Sequence, residues 1–275
     1  MSAKGPWIGD PVRPLAPDEA PLALLVDYDG TIALTDVGDT VMAEHVPGAW
    51  EDMAALYDAG RMGSRRLMEV EMALVDAPDD GAAMLATAAA QPHDPGFAPF
   101  VRRAREAGIP VEIVSDGFGF YIPPALGALG LEDLPVTTNR TIFTDGGARI
   151  DFPNGHPTCF ICGTCKRARV LAHQAAGRAV VFIGDGESDR YAAGHADVIF
   201  AKRALVPICL ANGWPFHRWT DFAEIEAWLA TTIAAWRADS SSASVPRPVA
   251  RPFTCGPEVW GEGLFDPPDP DRPSP

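Results

Sequence analysis

The chain has 275 residues and a mass of 29.3 kDa, and hydrophobic residues make up 47% of it, which is enough to fill a sizeable core. Its 22 basic and 37 acidic residues give a net charge of −15, which opposes contact with a nucleic-acid backbone. Since no apolar run approaches the roughly eighteen residues of a membrane span, we expect neither nucleic acid nor a membrane as a partner.

Residues 1–20 are rich in proline and carry no periodic apolar pattern, so we expect a loose N-terminal arm. This stretch also lacks the basic, apolar and small-residue succession of a signal peptide. The five cysteines of the chain are too few and too clustered for a secreted disulfide framework. Together these features predict a reduced, cytoplasmic protein, and they leave its oligomeric state open.

Three short apolar runs follow, at residues 22–26, 110–114 and 179–183. Each is rich in aliphatic residues, which is typical of a buried strand in a parallel sheet. Helical patterns over residues 97–107 and 165–176 precede the second and third runs, so β–α–β connections are the simplest topology. This predicts an α/β fold with a Rossmann-like parallel sheet flanked by helices.

Residues 36–94 are too long for an ordinary connection between a strand and the next helix. Val37, Val41 and His45 recur at helical spacing within them, and so do Met68 and Met72. We therefore expect a small helical cap inserted after the first strand.

The rest of the chain divides around this cap. Residues 21–35 and 95–238 contain the predicted strands and helices, and we assign them to the α/β core. Residues 239–275 are rich in proline and serine, a composition that buries too little apolar surface to offset the ordering of the chain. We expect this tail to be disordered.

Each apolar run ends in polar residues and a glycine, and the carboxyl ends of parallel strands share one edge, where ligands bind. Aspartate and glycine after a single strand are ordinary turn chemistry, but carboxylates from several strand ends repel one another without a cation. Oxygen ligands suit Mg²⁺, which commonly works alongside phosphate. The sequence therefore predicts a magnesium-dependent active site formed by Asp27, Asp29 and Gly30, by Ser115, Asp116 and Gly117, and by Gly184, Asp185 and Asp189.

These segments, in this order and together with Lys166, resemble the four motifs of the haloacid dehalogenase-like (HAD) phosphatase superfamily. The resemblance covers residues 22–230. It implies that Asp27 is a nucleophile that forms an aspartyl-phosphate, while Asp29 protonates the leaving oxygen and then activates water. It also implies a Mg²⁺ site made of Asp27, the Asp29 carbonyl and Asp185, a phosphate site made of Ser115, Asp116, Gly117 and Lys166, and a role for Asp189 in orienting Lys166 or a metal-bound water.

The position of the cap resembles the branch that contains phosphoserine phosphatases and methionine-salvage enol phosphatases. The cysteine-rich stretch before Lys166 and the segment Phe200-Ala201-Lys202-Arg203 are similar to the second group. That resemblance implies a small phosphorylated metabolite as substrate, namely 2-hydroxy-3-keto-5-methylthiopentenyl-1-phosphate. Two positions depart from the branch: Asp116 replaces the glycine usual after the motif-two serine, and phosphoserine phosphatases carry a glutamate near the position of Asp36. A phosphoserine-type phosphatase is therefore kept as the alternative. Asp36 is a candidate substrate contact because it follows the first strand at the start of the cap.

Other functions remain open at this point. Asp29 favours a phosphatase over a dehalogenase, because a halide leaving group needs no proton. Phosphomutases and phosphotransferases keep both aspartates, so the motifs do not separate hydrolysis from phosphoryl transfer. A non-enzymatic alternative is a scaffold module that binds a phosphorylated ligand.

His156, Cys159, Cys162 and Cys165 recur every three residues. They supply the nitrogen and sulfur ligands of a structural Zn²⁺ site, although such sites usually draw their ligands from two separated pairs. The alternatives are structural thiols or an oxidisable cysteine pair close to Lys166.

Overall fold

The computed structural model describes residues 9–16, 19–46, 48, 50–59, 61–77, 79–144, 146–157 and 159–238. The tail expected over residues 239–275 lies outside the described residues, and so do residues 1–8, 17 and 18 of the expected arm.

A parallel sheet forms the centre of the protein. The strands are β1 Leu22–Val26, β2 Val111–Val114, β3 Val136–Thr137, β4 Arg140–Thr144, β5 Gly147–Asp151, β6 Ala179–Gly184, β7 Val198–Ala201 and β8 His217–Arg218. Within the described ranges, the parallel sheet has six strands in the order β3-β2-β1-β6-β7-β8, while β4 and β5 form a separate antiparallel hairpin. The three predicted strands are the adjacent β2, β1 and β6, and every residue in them is buried.

Helices cover both faces of the sheet. In chain order they are α1 Val37–His45, α2 Glu51–Asp58, α3 Ser64–Ala73, α4 Ala82–Ala89, α5 Phe97–Glu106, α6 Ile122–Ala128, α7 Lys166–Ala175, α8 Arg190–Ala193, α9 Leu205–Ala211 and α10 Phe222–Ala238. Alternate residues of a strand face opposite sides: Leu24 packs in the same core cluster as Phe100 and Phe222, and Leu25 packs with Val170 on the other side. This arrangement confirms the predicted α/β fold.

None of the helices in the described ranges combines the length and apolar character required to traverse a bilayer.

Helices α1–α4 occupy the stretch between β1 and α5 where we expect the cap. The β4–β5 hairpin, which the sequence analysis does not predict, packs against these helices. Thr141 Oγ1 lies 4.0 Å from Met72 Sδ, and the ring of Phe143 lies against Gly81 before α4, where a side chain would not fit. The cap surroundings therefore include a hairpin, and the division of the chain into domains stays a prediction.

The described part of the N-terminal arm is attached to the core, which differs from the loose arm that its composition predicts. The Leu15 N–H donates to the Ala176 carbonyl at 2.8 Å. The guanidinium of Arg169 donates to the carbonyl of Asp10 at 2.8 Å, and that of Arg178 donates to the carbonyl of Arg13 at 2.6 Å. These bonds satisfy backbone groups that proline-rich segments cannot pair within themselves.

Candidate active site

The candidate site lies beyond the carboxyl ends of β1, β2 and β6. Strand β1 pairs with β2 on one side and with β6 on the other, and Val26 is in register with both Ile113 and Ile183. The residues that follow these three strands therefore converge at the point where the strand order reverses, which is where open parallel sheets bind ligands.

Lys166 lies at the centre of this group. Its ammonium donates to Asp27 Oδ1 at 2.7 Å, to Asp189 Oδ1 at 2.7 Å and to Ser188 Oγ at 3.0 Å. Burial alone lowers the pKa of a lysine, but the carboxylates of Asp189 and Asp27 outweigh it and raise the pKa of Lys166. Lys166 is therefore a permanent cation at the N-terminus of α7, where only nearby negative charge makes a cation favourable.

Asp27, Asp185 and Asp189 form an acidic cluster in which one carboxylate oxygen of each lies within 4.8 Å of the others. Burial and repulsion from Asp189 raise the pKa of Asp27, and the same two causes raise the pKa of Asp185 to about 6. Thr31 Oγ1 donates to Asp185 Oδ1 at 3.2 Å. Gly30, at φ +66°, lies so close to the Asp185 carboxylate that no side chain would fit there.

Asp189 is fully buried, and its carboxylate is fixed on both sides. Oδ1 accepts from Lys166, while Oδ2 accepts from the backbone N–H groups of Asp185 at 2.8 Å and Gly186 at 2.9 Å. This is the geometry expected of a residue that orients Lys166. Asp189 nevertheless lies within reach of the same cation as Asp27 and Asp185, which the sequence analysis expects only through a bound water.

Asp29 has different surroundings from Asp27. It accepts from the hydroxyl of Tyr121 at 2.9 Å and from the N–H of Val37 at 3.1 Å, at the start of α1. Burial, followed by repulsion from Asp36, raises the pKa of Asp29, so this carboxyl is suited to hold a proton. The position of Val37 couples the acid–base candidate to the first helix of the cap.

Ser115 and Gly117 line the same edge. Ser115 is fully buried, and its Oγ accepts from the N–H of Gly117 at 3.0 Å, so its own proton remains available to an acceptor. A Cβ at Gly117 would lie 2.5 Å from both Asp29 Oδ2 and the Tyr121 hydroxyl. Glycine is required here because the backbone passes directly behind Asp29.

The side chain of Asp116 is already bonded to other protein groups, which differs from the phosphate-binding role that the resemblance implies. Its carboxylate is occupied by Ser64 Oγ at 2.5 Å, by the N–H of Thr164 at 2.7 Å and by Asn139 Nδ2 at 3.2 Å. A carboxylate also repels a phosphate dianion, so only the backbone of Asp116 is suited to that use.

Asp36 is exposed and caps α1, where its side chain accepts from the N–H of Asp39 at 2.9 Å. Its role as a substrate contact stays a prediction.

Sequence reasoning does not single out Tyr121 or identify a role for Arg203. Arg203 Nη1 lies 3.3 Å from Asp185 Oδ2, and its Nη2 donates to the Leu34 carbonyl at 2.7 Å. Its backbone has φ +46°, an uncommon conformation for a residue other than glycine. The segment Phe200-Ala201-Lys202-Arg203 contains this arginine, but nothing in the sequence indicates that it contacts Asp185.

The candidate zinc ligands do not converge. Among the described residues, the acidic cluster is the one group of three or more histidine, cysteine or acidic side chains close enough to share an ion, and His156, Cys159, Cys162 and Cys165 do not form such a group. Cys165 is buried and Cys159 and Cys162 are half-buried. The loop 159–165 instead contacts the cap, where the N–H of Arg65 donates to the Ile161 carbonyl at 3.1 Å.

Comparisons with known proteins agree with this site. The profile described as haloacid dehalogenase-like hydrolase matches residues 24–194. A 2-hydroxy-3-keto-5-methylthiopentenyl-1-phosphate phosphatase from Brevibacillus brevis is 28% identical over 196 residues, which cover 67% of this chain and 84% of that protein. A protein of the same name from Geobacillus kaustophilus is 27% identical over 212 residues, which cover 74% and 93% of the two chains.

The fold is also similar to a solved structure, a phospho-aspartyl intermediate analogue of phosphoserine phosphatase. The TM-score is 0.57 at 18% sequence identity, and the match covers 76% of this chain and 99% of the other. The family profile spans more than half of the chain, and the motif residues meet at one edge of the sheet. The protein is therefore a member of the haloacid dehalogenase-like hydrolase family.

Proposed function

We propose that the protein is a phosphatase that hydrolyses a small phosphomonoester through a phosphorylated Asp27. The observation that carries this proposal is the pair of carboxyls on one strand end. The Asp27 carboxylate accepts from the Lys166 ammonium at 2.7 Å, whereas Asp29 accepts from the Tyr121 hydroxyl and the Val37 N–H. Burial raises the pKa of both carboxyls, but the ammonium bonded to Asp27 favours the ionised form of that carboxyl. Two neighbouring carboxyls with different environments are suited to act as nucleophile and as acid.

The two half-reactions follow from this division. An oxygen of Asp27 attacks phosphorus as the bond to the leaving oxygen breaks, and Asp29 gives its proton to that oxygen. Asp29, now ionised, then accepts a proton from the water that attacks the same phosphorus. The bond between phosphorus and Asp27 breaks, inorganic phosphate leaves, and both carboxyls return to their starting states.

The acidic cluster fits Mg²⁺. Its oxygen-only donors lie within 4.8 Å of one another, and Lys166 neutralises part of their charge. Asp27, Asp185 and the Asp29 carbonyl would hold the ion, while Asp189 keeps Lys166 in place. When bound, the ion reduces the repulsion between the Asp27 carboxylate and a phosphate dianion.

Lys166, the Ser115 hydroxyl and the backbone N–H groups around Gly117 are the proposed phosphate donors. Lys166 and Ser115 are fully or almost fully buried, so each acts in surroundings where an electrostatic contact is stronger than in water. Since Lys166 Nζ lies 2.7 Å from Asp27 Oδ1, a phosphate bound to this lysine would lie close to the proposed nucleophile.

The proposed substrate is 2-hydroxy-3-keto-5-methylthiopentenyl-1-phosphate or a related small metabolite. Support comes from the names of the relatives from Brevibacillus brevis and Geobacillus kaustophilus and from the cap helices beside the site, which favour small substrates over phosphoproteins. The cytoplasmic location stays a prediction.

The test compares Asp27→Asn with the wild type in a screen of phosphorylated metabolites, with Mg²⁺ and with a chelator. We expect the variant to fall to background, because its amide cannot act as the nucleophile, and the wild type to lose activity with the chelator. Asp133→Asn is the matched control, since Asp133 is exposed and pairs only with Arg105 among the ion pairs described. Equal activity of Asp27→Asn and the wild type would refute the proposal.

Adding an alcohol to the assay separates hydrolysis from phosphoryl transfer. A phosphatase releases inorganic phosphate in proportion to substrate consumed, whereas a phosphotransferase accumulates the new phosphate ester.

A further inference from the structure

The carboxylate of Asp116 joins three separate parts of the protein. Ser64, in the first turn of α3, donates to Oδ2 at 2.5 Å. The N–H of Thr164, in the loop 159–165, donates to Oδ1 at 2.7 Å, and the side-chain amide of Asn139, between β3 and β4, donates to it at 3.2 Å. Only 8% of Asp116 is exposed, so these bonds replace its contact with water.

The partners of Asp116 also bond to one another. Thr164 Oγ1 donates to Asn139 Oδ1 at 3.0 Å, and Asn139 Nδ2 donates to the Gly117 carbonyl at 2.9 Å. Asp116 is therefore linked to both parts of the site. The next residue, Gly117, lies behind the acid–base candidate Asp29, and the residue whose N–H it accepts, Thr164, lies two positions before Lys166.

A second contact joins α3 to the loop 159–165. The N–H of Arg65 donates to the carbonyl of Ile161 at 3.1 Å, and this carbonyl satisfies one of the N–H groups left unpaired at the start of α3. A Cβ at Gly63 would lie 2.5 Å from the same oxygen. The N-terminus of α3 thus lies directly on the loop 159–165, with Asp116 beneath both.

We infer that Asp116 is a positioning residue that holds α3 of the cap against the loop 159–165 and thereby fixes Lys166 at the phosphate site. This inference rests on the proposed function, because it assigns a role within that site. The glycine that the family resemblance leads us to expect here has no side-chain acceptor, so the link is a feature of this chain. Asparagine preserves it, since its amide oxygen accepts from Thr164 and its amide nitrogen donates to Ser64.

Amide hydrogen exchange tests the link without reference to activity. In Asp116→Gly we expect the peptides that contain residues 63–67 and 159–165 to exchange at least about tenfold faster than in the wild type, because the acceptor of the Thr164 N–H is lost. Ser64→Ala is expected to accelerate the cap peptide, and Asp116→Asn to stay within about threefold of the wild type.

Thr87→Val is the matched control for Ser64→Ala. It removes a buried cap hydroxyl whose partners, His45 Nε2 at 2.8 Å and the Ala83 carbonyl at 3.3 Å, both lie within the cap. We expect this variant to leave the exchange of residues 159–165 unchanged.

Steady-state kinetics with p-nitrophenyl phosphate give the second readout. We expect Asp116→Gly to lower kcat by about tenfold to a hundredfold, as a misplaced catalytic group does, with rescue in Asp116→Asn. A purely structural role would lower the melting temperature of Asp116→Gly and leave kcat unchanged in the folded enzyme.

The outcomes separate this inference from the proposed function. Unchanged exchange in Asp116→Gly would overturn the positioning role, whatever the activity. Faster exchange in a protein whose wild type hydrolyses no phosphomonoester would keep the link and reject the phosphatase. Faster exchange with full kcat would overturn the role in placing Lys166.

Discussion

Replacement of Glu112 by glutamine tests how α7, the helix that begins with Lys166, is held in place. Glu112 lies on β2 and is almost completely buried. Its carboxylate accepts from Arg169 Nε at 2.6 Å, from Arg169 Nη2 at 2.9 Å and from Thr137 Oγ1 at 2.7 Å, and it lies 3.0 Å from His173 Nε2. Arg169 and His173 are one and two turns after Lys166, so Glu112 ties this helix to the sheet.

The expected loss of folding stability follows from the pKa of Glu112. Burial alone would raise it, but the hydrogen bonds from His173 and Arg169 outweigh burial and lower it from its ordinary value of 4.5 to about 2. A lowering of about 2.5 pKa units corresponds to about 3 kcal/mol of stability. Because the folded-state pKa is the lower one, this stability is present above about pH 4.5 and is lost as the pH falls towards 2.

Glu112→Gln is therefore expected to lose about 3–5 kcal/mol at pH 7, since the buried Arg169 loses the carboxylate that accepts two of its hydrogen bonds. Urea unfolding at pH 7, 4.5 and 3 measures the difference from the wild type, which should shrink as the pH falls. Glu106→Gln is the control, because Glu106 forms an exposed ion pair with Arg103 worth at most about 1 kcal/mol. A difference for Glu112→Gln that stays below 1 kcal/mol at pH 7, or that is independent of pH, would refute this reasoning.

Three further predictions concern the site itself. The Tyr121 hydroxyl lowers the raised pKa of Asp29, so Tyr121→Phe should move the pH optimum of kcat upward; a downward or absent shift would contradict the assignment. Gly117→Ala should reduce kcat by about a hundredfold because the new methyl group would meet Asp29, whereas Gly127→Ala, which has open space around it, should keep full activity. Asp185→Asn should raise the half-saturating Mg²⁺ concentration at least about tenfold, and an unchanged Mg²⁺ titration would remove Asp185 from the metal site.

The fold and the main catalytic candidates could be predicted because both depend on local patterns. The runs that became β1, β2 and β6 are continuously apolar, which marks strands covered on both faces. Once these strands are parallel, topology alone brings the residues after them to one edge. Asp27 and Asp185 therefore follow from strand ends without knowledge of any side-chain contact.

The features that were missed depend on contacts between distant segments. The β4–β5 hairpin has half-exposed strands without clean alternation, and its place is set by packing against α3. The bond between Ser64 and Asp116 joins residues 52 positions apart, and neither residue alone indicates the other. The candidate zinc ligands share regular spacing, but the backbone of their loop bonds to Arg65 and Asp116.

The buried ion pairs of Lys166 with Asp27 and Asp189 are better explained by a catalytic role than by a contribution to folding stability. Lys166, Asp27 and Asp189 are buried together, and a buried ion pair often stabilises a fold no more than apolar residues of the same shape would. Asp185 adds a further carboxylate that raises the pKa of Asp27. A sequence selected for stability alone has no reason to gather three carboxylates around one lysine. The arrangement is favourable once a divalent cation completes it, because the cation offsets both the repulsion among the carboxylates and their repulsion of a phosphate dianion.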